Sequence, residues 1–253
     1  MKNEIKIFFT AVMFYTRIPV PKSIGYSGVN LNKATRYLPL IGILVGSVGA
    51  FVFYMANDVL STEASVLCSI IATILLTGAF HEDGFADSCD GLGGGYSKEK
   101  ILEIMKDSKI GTYGVLGLVL LILTKIFLLT EICPSQISIV IIAAHAFSRL
   151  NPVILMYISK YVRNDETSKS KDTTKEKSIS ILLIALIFSV LPLFLLHYTI
   201  ILFVVITLFL ILIYFRYYIH KKLGGYTGDL LGALQQISEV GFYIAVILAE
   251  KWL

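Results

Sequence analysis

Between Thr77 and Gly95 the chain reads TGAFHEDGFADSCDGLGGG, which places four carboxylates, Glu82, Asp83, Asp87 and Asp90, close together. Asp83, Asp87 and Asp90 stand at i, i+4 and i+7, and on a helix that spacing gathers them on one stripe within an arc of about 60°. Like charges in this register cost an isolated helix roughly 0.2–0.5 kcal/mol per pair, so the stripe calls for a cation. Hard oxygen donors grouped in this way suit Mg²⁺ or Mn²⁺, which bind a few carboxylates and complete their shells with water and phosphate oxygens. Asp83, Asp87 and Asp90 are therefore the expected metal ligands, with Glu82 as an auxiliary one. Gly84, Gly91, Gly93, Gly94 and Gly95 would let backbone approach a ligand or present N–H groups to phosphate. A solvated acidic helix end would explain the charges but not their register.

Three further segments carry polar groups where the chain is otherwise apolar. In KDSKIGTYGVLG, Lys106 to Gly117, the residues Lys106, Asp107, Ser108 and Lys109 could hold a phosphate, while Gly114 and Gly117 read better as close helix packing. Ser148, Arg149 and Asn151 interrupt an apolar run, and a buried arginine is costly enough to count as a functional candidate, here for neutralising the aspartates or a diphosphate. LGGYTGDLLGA, Leu223 to Ala233, supplies Gly228 and Asp229 as substrate contacts, with Asp229 as a further ligand or a general base and Glu239 further on. A Gly-x-x-x-Gly packing pair at Gly228 and Gly232 explains those glycines but not the aspartate.

The elements that must position these groups are membrane helices. The chain has 253 residues, 56% of them hydrophobic and only 16% charged, with a mean hydropathy of +0.76. Those values exclude an ordinary soluble domain and predict an all-α, polytopic integral membrane protein. Apolar runs of about 20 residues fall near Tyr37 to Met55, Ala64 to Phe80, Ile110 to Thr130, Ile137 to Ser159, Ile179 to Leu196, Tyr198 to Tyr218 and Ile237 to Leu253, about seven spans in all. Pro192, His197 and Tyr198 mark a hairpin within the longest run. The stretch from Ile7 to Tyr15 is too short to cross and is followed by Arg17, Pro19 and Pro21, so it reads as an interfacial or re-entrant helix rather than a signal peptide. No polar stretch is long enough for a second domain, and residues 1–253 read as one membrane-embedded unit.

The net charge of +4 forms no folded basic patch, so nucleic acid is not an expected partner. Nineteen of the 22 Lys and Arg residues lie instead in alternate loops, whereas the loops around Asn57 to Glu63, Glu131 to Ser135 and His197 have none. Positive loops face the cytoplasm, which predicts a cytoplasmic N-terminus and a cytoplasmic acidic site in a prokaryotic inner membrane. Arg163 to Lys177 reads as a polar, charge-mixed linker. Cys68, Cys89 and Cys133 are too far apart for a C-x-x-C pair and read as free thiols.

HEDGFADSCDGLGGG, KDSKIGTYG, SRLNP, GGYTGDLLGA and the N-terminal FFTAVMFYTRIPVP together resemble the adenosylcobinamide-GDP ribazoletransferase family, in order and over nearly the whole chain. The resemblance implies that the ribose 3'-hydroxyl of α-ribazole, or of its 5'-phosphate, attacks the cobinamide-linked phosphate of adenosylcobinamide-GDP and that GMP leaves. Mg²⁺ on Asp83, Asp87 and Asp90 would stabilise charge developing at the diphosphate. Arg149 and Lys109 would be its cationic partners. The lipid bilayer is an expected partner, and a homo-oligomer is compatible with the sequence. A cation-coupled transporter is the alternative, but the acids cluster at one surface rather than at mid-membrane and no inverted repeat appears. A structural or assembly subunit leaves the aligned aspartates unexplained.

Overall fold

The computed structural model describes residues 2–25, 27–163 and 178–252. Apart from Arg163 itself, the expected polar linker, which runs to Lys177, lies outside these residues. The described chain forms twelve α-helices in the order α1 Lys2–Tyr15, α2 Gly28–Ala34, α3 Leu38–Asn57, α4 Thr62–Thr77, α5 Phe80–Gly94, α6 Lys98–Ile104, α7 Thr112–Glu131, α8 Pro134–Phe147, α9 Leu150–Ile158, α10 Ile179–Val190, α11 Tyr198–Leu223 and α12 Gly228–Glu250. Five helical stretches are long and apolar enough to cross a bilayer: Gly28–Asn57, Thr112–Glu131, Pro134–Ile158, Tyr198–Leu223 and Gly228–Glu250. The bent pair Thr62–Thr77 and Phe80–Gly94 makes up to six, and Ile179–Leu195 is a shorter apolar helix. All seven expected spans are thus helical, and the fold is that of a polytopic all-α membrane protein. The count differs because the segment beginning at Ile179 ends in a 3₁₀ turn over Leu191–Leu195, forced by Pro192, before His197 caps α11.

Burial sorts the long helices into layers. The most apolar windows of α8 with α9 and of α12 are 83% and 72% buried, whereas those of α7 and α11 are only 22% and 28% buried. The former make the centre, and the latter offer a rim of Leu, Val, Ile and Phe side chains suited to lipid. Small residues set the closest crossings in this kind of bundle. Cβ atoms at Gly42 and Gly46 on α3 would collide with the α8 backbone at His145 and Ile142, so glycine is what lets α3 and α8 touch.

One joint matters most for the site. At the end of α4 the chain passes through two consecutive left-handed residues, Gly78 at φ +67° and Ala79 at φ +58°, and α5 leaves at 91° to α4. Glycine accepts this conformation freely, whereas Ala79 incurs a strain of roughly 1–2 kcal/mol. The turn is held by Ala79 N–H donating to the Ile74 carbonyl at 3.0 Å. This bend separates the carboxylates of α5 from the apolar course of α4.

Candidate active site

Helices α5 and α12 cross at glycine. A Cβ at Gly84 would stand 2.8 Å from the Asp229 carbonyl, and one at Gly232 would stand 3.0 Å from that of His81. This close approach sets Asp83 and Asp87 on α5 beside Asp229 in the first turn of α12. The three carboxylates lie within electrostatic reach of one another. Thr227 caps α12 by accepting from Leu230 N–H at 3.3 Å, and an acidic residue just inside that N-terminus is favoured by the exposed backbone dipoles.

Asp229 has a cationic partner. Arg163 Nη2 donates to Asp229 Oδ2 at 2.7 Å and to the Met105 carbonyl at 3.0 Å. Backbone pairing places that arginine: Val162 N–H donates to the Tyr226 carbonyl and Tyr226 N–H to the Lys160 carbonyl, at 3.0 and 2.9 Å. Asp83 and Asp229 open on a cavity of about 600 Å³ whose other walls include Thr16, Arg17, Thr77, Gly78 and Phe80. Asp83 is exposed and Asp87 half-buried beside it.

The other expected site residues go elsewhere. Asp90, the third member of the stripe, is buried and accepts from Gly111 N–H at 2.7 Å and from Gly114 N–H at 2.8 Å, one bond on each carboxylate oxygen. It caps the N-terminus of α7 from outside, a structural use of a carboxylate. The same bonds occupy the α7 amides that a phosphate beside Lys106, Ser108 and Lys109 would use. Lys109 faces a separate hollow of about 460 Å³ with Lys100 and Asp107, Lys106 faces another of about 720 Å³, and Ser108 is exposed. Gly228 does line the acidic cavity. Of the glycines expected to meet a ligand, Gly84 lines the acidic cavity and also admits α12, whereas Gly91 admits Met105 and Gly93 faces the Tyr113 ring. Gly114 and Gly117 pack against α5 as their spacing predicts.

Arg149 is the largest departure. It is 1% exposed and does not reach the cavity. Its Nη1 donates to the His145 carbonyl at 2.6 Å and to His145 Nδ1 at 3.1 Å. Around it runs a buried polar network: Lys125 Nζ meets Glu239 at 2.7 Å and donates to Gln236 at 2.6 Å, Gln235 and Tyr243 donate to Glu239 at 2.8 and 3.1 Å, and Gln236 donates to Glu82 at 3.0 Å. Glu82 therefore points inward while its neighbour Asp83 points to the cavity, as successive residues on a helix must. Among the described residues no three His, Cys, Asp or Glu side chains converge closely enough to share one metal ion.

Three participants escaped the sequence reading. Lys125 sits inside an apolar span, where any ionisable residue is notable, and that signal was available. Arg163 looked like the start of a linker, and only the backbone pairing to Tyr226 reveals its place. Arg17 belongs to the N-terminal FFTAVMFYTRIPVP segment and to the basic loops, but nothing in the sequence marks it as a site residue. The thiols of Cys68, Cys89 and Cys133 are free, as expected.

Comparison with known proteins identifies the chain's relatives. A family model described as cobalamin-5-phosphate synthase matches residues 7–247. The chain is 41% identical to the adenosylcobinamide-GDP ribazoletransferase of Shewanella frigidimarina (strain NCIMB 400), over 97% of this chain and 95% of that protein. Proteins of the same name from Shewanella woodyi (strain ATCC 51908 / MS32) and Shewanella baltica (strain OS185) are 41% and 42% identical, over 98% and 97% of this chain and 97% and 95% of theirs. No solved structure matches the chain.

Proposed function

Because this chain belongs to the cobalamin-5-phosphate synthase family, we propose that it joins α-ribazole, or its 5'-phosphate, to adenosylcobinamide-GDP with release of GMP, and that the reaction takes place in the cavity lined by Asp83 and Asp229, with Asp87 beside them. The observation that carries this placement is the α5–α12 crossing at Gly84, which brings carboxylates from two distant motifs to one opening. In the reaction a bond forms from the ribose 3'-oxygen to the cobinamide-linked phosphorus, the bond to the bridging oxygen breaks, and the hydroxyl proton needs an acceptor. Relatives named for a transferase leave the cation-coupled transporter without support.

The donor set suits Mg²⁺. Such an ion typically takes one or two carboxylates and fills its shell with water and substrate phosphates, so it does not require a preformed triad. Asp83 and Asp87 are the residues that would hold it, and it would supply charge stabilisation at the diphosphate. Asp90 drops out of that set, because both its oxygens already serve α7. Glu82 drops out because it faces the interior. Asp229 is the residue we assign to orient the attacking hydroxyl and accept its proton. Arg163 fixes its carboxylate, and the cavity gives the hydroxyl access to it. The uneven distribution of basic loops supports a cytoplasmic N-terminus and a cytoplasmic site in a prokaryotic inner membrane.

The test is direct. Purified protein given adenosylcobinamide-GDP, α-ribazole and Mg²⁺ is expected to release GMP and form the complete cobamide, to stop in EDTA and to resume with added Mg²⁺. No GMP would defeat the activity, and full turnover in exhaustively chelated protein would defeat the metal assignment alone. Cysteines introduced at Ser97 and Ser61 are expected to label from the cytoplasmic and the external side respectively.

A further inference from the structure

The cavity that holds Asp83 and Asp229 has a second, cationic wall. Arg17 lies two residues beyond the end of α1, and of the described residues lining the cavity it alone carries positive charge. Among the described residues its guanidinium has no hydrogen-bond or ion-pair partner, although Asp83 and Asp229 share the cavity with it. Arg163 satisfies Asp229 from another side. An exposed arginine that faces carboxylates without pairing to them is available to something that enters between.

Its position is fixed rather than incidental. Arg17 N–H donates to the Leu76 carbonyl in the last turn of α4 at 2.7 Å, and the Thr16 hydroxyl ties the preceding residue back to the Val12 carbonyl at 2.7 Å. The guanidinium then passes over Gly78, where a Cβ would run into its Nε. Gly78 thus does two things at once: it takes the left-handed conformation that bends α4 from α5, and it leaves room for the arginine plane above that bend. A flexible surface charge serving topology alone needs neither the backbone tie nor the cleared glycine.

We infer that Arg17 binds the diphosphate of the nucleotide-activated substrate, donating its planar fork to phosphate oxygens from the wall across from the carboxylates. This rests on the proposed transferase reading and adds a residue to it. Electrostatics favours such a group, because a diphosphate entering a cavity lined by Asp83 and Asp229, with Asp87 beside them, is repelled unless cations meet it. Mg²⁺ on Asp83 and Asp87 would offset the carboxylates, and the guanidinium offers two parallel N–H donors matched to phosphate geometry.

The test compares wild type, Arg17→Ala and Arg17→Lys in the purified, membrane-inserted protein, varying each substrate in turn. Loss of a contact to the reacting diphosphate is expected to lower kcat/KM for adenosylcobinamide-GDP by about 10²-fold in Arg17→Ala, and by about 10-fold in Arg17→Lys, which keeps the charge and loses the fork. The KM for α-ribazole is expected to stay within about 3-fold, since a contact made to one substrate separates from one made to the other. Equal losses for both substrates, or no loss, would overturn the inference. If Arg17→Ala does not insert, the same comparison on Arg17→Lys decides. A binding arm needs no turnover: inorganic pyrophosphate with Mg²⁺ is expected to bind about 10-fold more weakly to the variants, and unchanged binding counts against Arg17. Wild-type protein that binds pyrophosphate through Arg17 but releases no GMP would defeat the transferase reading and leave the diphosphate site standing.

Discussion

The acidic cavity and the buried network lie on different flanks of one helix, α5, and they handle charge in opposite ways. On the inner flank Glu82 joins a network in which two carboxylates, Glu82 and Glu239, are accompanied by two cations, Lys125 and Arg149, with Gln235, Gln236 and Tyr243 adding further hydrogen bonds. On the outer flank Asp83, Asp87 and Asp229 crowd together with Arg163 engaging only Asp229. Buried charge persists when it is balanced and hydrogen-bonded, so the inner set matches its carboxylates with cations, although Glu82 Oε2 and Arg149 Nε are buried without a hydrogen-bond partner among the described residues. The outer set carries surplus negative charge at an opening, and surplus charge is what a metal ion and a polyanionic substrate use. The difference teaches that a polar residue inside a membrane bundle is not by itself an active-site residue, since the count of partners around it decides.

The comparison breaks most visibly at Asp87. Asp87→Asn keeps the shape and removes the charge, so turnover is expected to fall about 10³-fold, equivalent to about 4 kcal/mol of transition-state stabilisation. Stability is expected to hold or rise slightly without metal, because the like-charge interactions with Asp83 and Asp90 on the same helix, roughly 0.2–0.5 kcal/mol each, disappear. Insertion, GMP release and thermal unfolding measured on the same preparation check both halves. Near wild-type turnover in a stable, inserted variant would remove Asp87 from the metal site.

The inner flank is expected to show the reverse. Lys125→Met leaves Glu239 buried without its 2.7 Å partner, and stranding a buried charge costs about 3 kcal/mol or more. Unfolding in detergent should therefore shift strongly, and adding Glu239→Gln should recover much of the loss. A Lys125→Met variant as stable as wild type would show that the two charges do not depend on each other.

The helices, the acid-bearing segment and the break at Pro192 were legible in the sequence because each has a local cause: apolar runs of bilayer length, carboxylates in helical register, a proline that cannot continue a helix. Asp229 was legible for a similar reason, as a charge that packing could not explain. Partner choice was not. Nothing local to Asp90 tells that Gly111 and Gly114 will offer it two amides, and nothing local to Arg149 tells that His145, one turn away, will claim its guanidinium. Arg163 depends on a backbone pairing across 65 residues, which no window reads. The bend at Ala79 depends on a conformation that alanine does not advertise. Spacing predicted which aspartates share a stripe, but a stripe on a helix this short and crowded meets different neighbours along its length.

Asp90 gives the smallest effect and the sharpest contrast, because it lies three residues from Asp87 on the same stripe. Its two oxygens each accept a backbone N–H of the α7 N-terminus, so asparagine there can keep one bond and must turn an NH₂ donor toward the other amide. Losing a charge-assisted bond and leaving a buried donor unmet is expected to cost about 1.5–3 kcal/mol of stability. Turnover per folded molecule should stay within about 10-fold of wild type, since α7 is loosened at its first turn while the residues facing the cavity remain. The pair of variants then separates the two uses of a carboxylate: Asp87→Asn silent in unfolding and severe in turnover, Asp90→Asn evident in unfolding and mild in turnover. Should Asp90→Asn melt like wild type and lose turnover about as deeply as Asp87→Asn, the carboxylate is doing chemistry despite its two amides, and the metal set would have to be redrawn around the whole stripe.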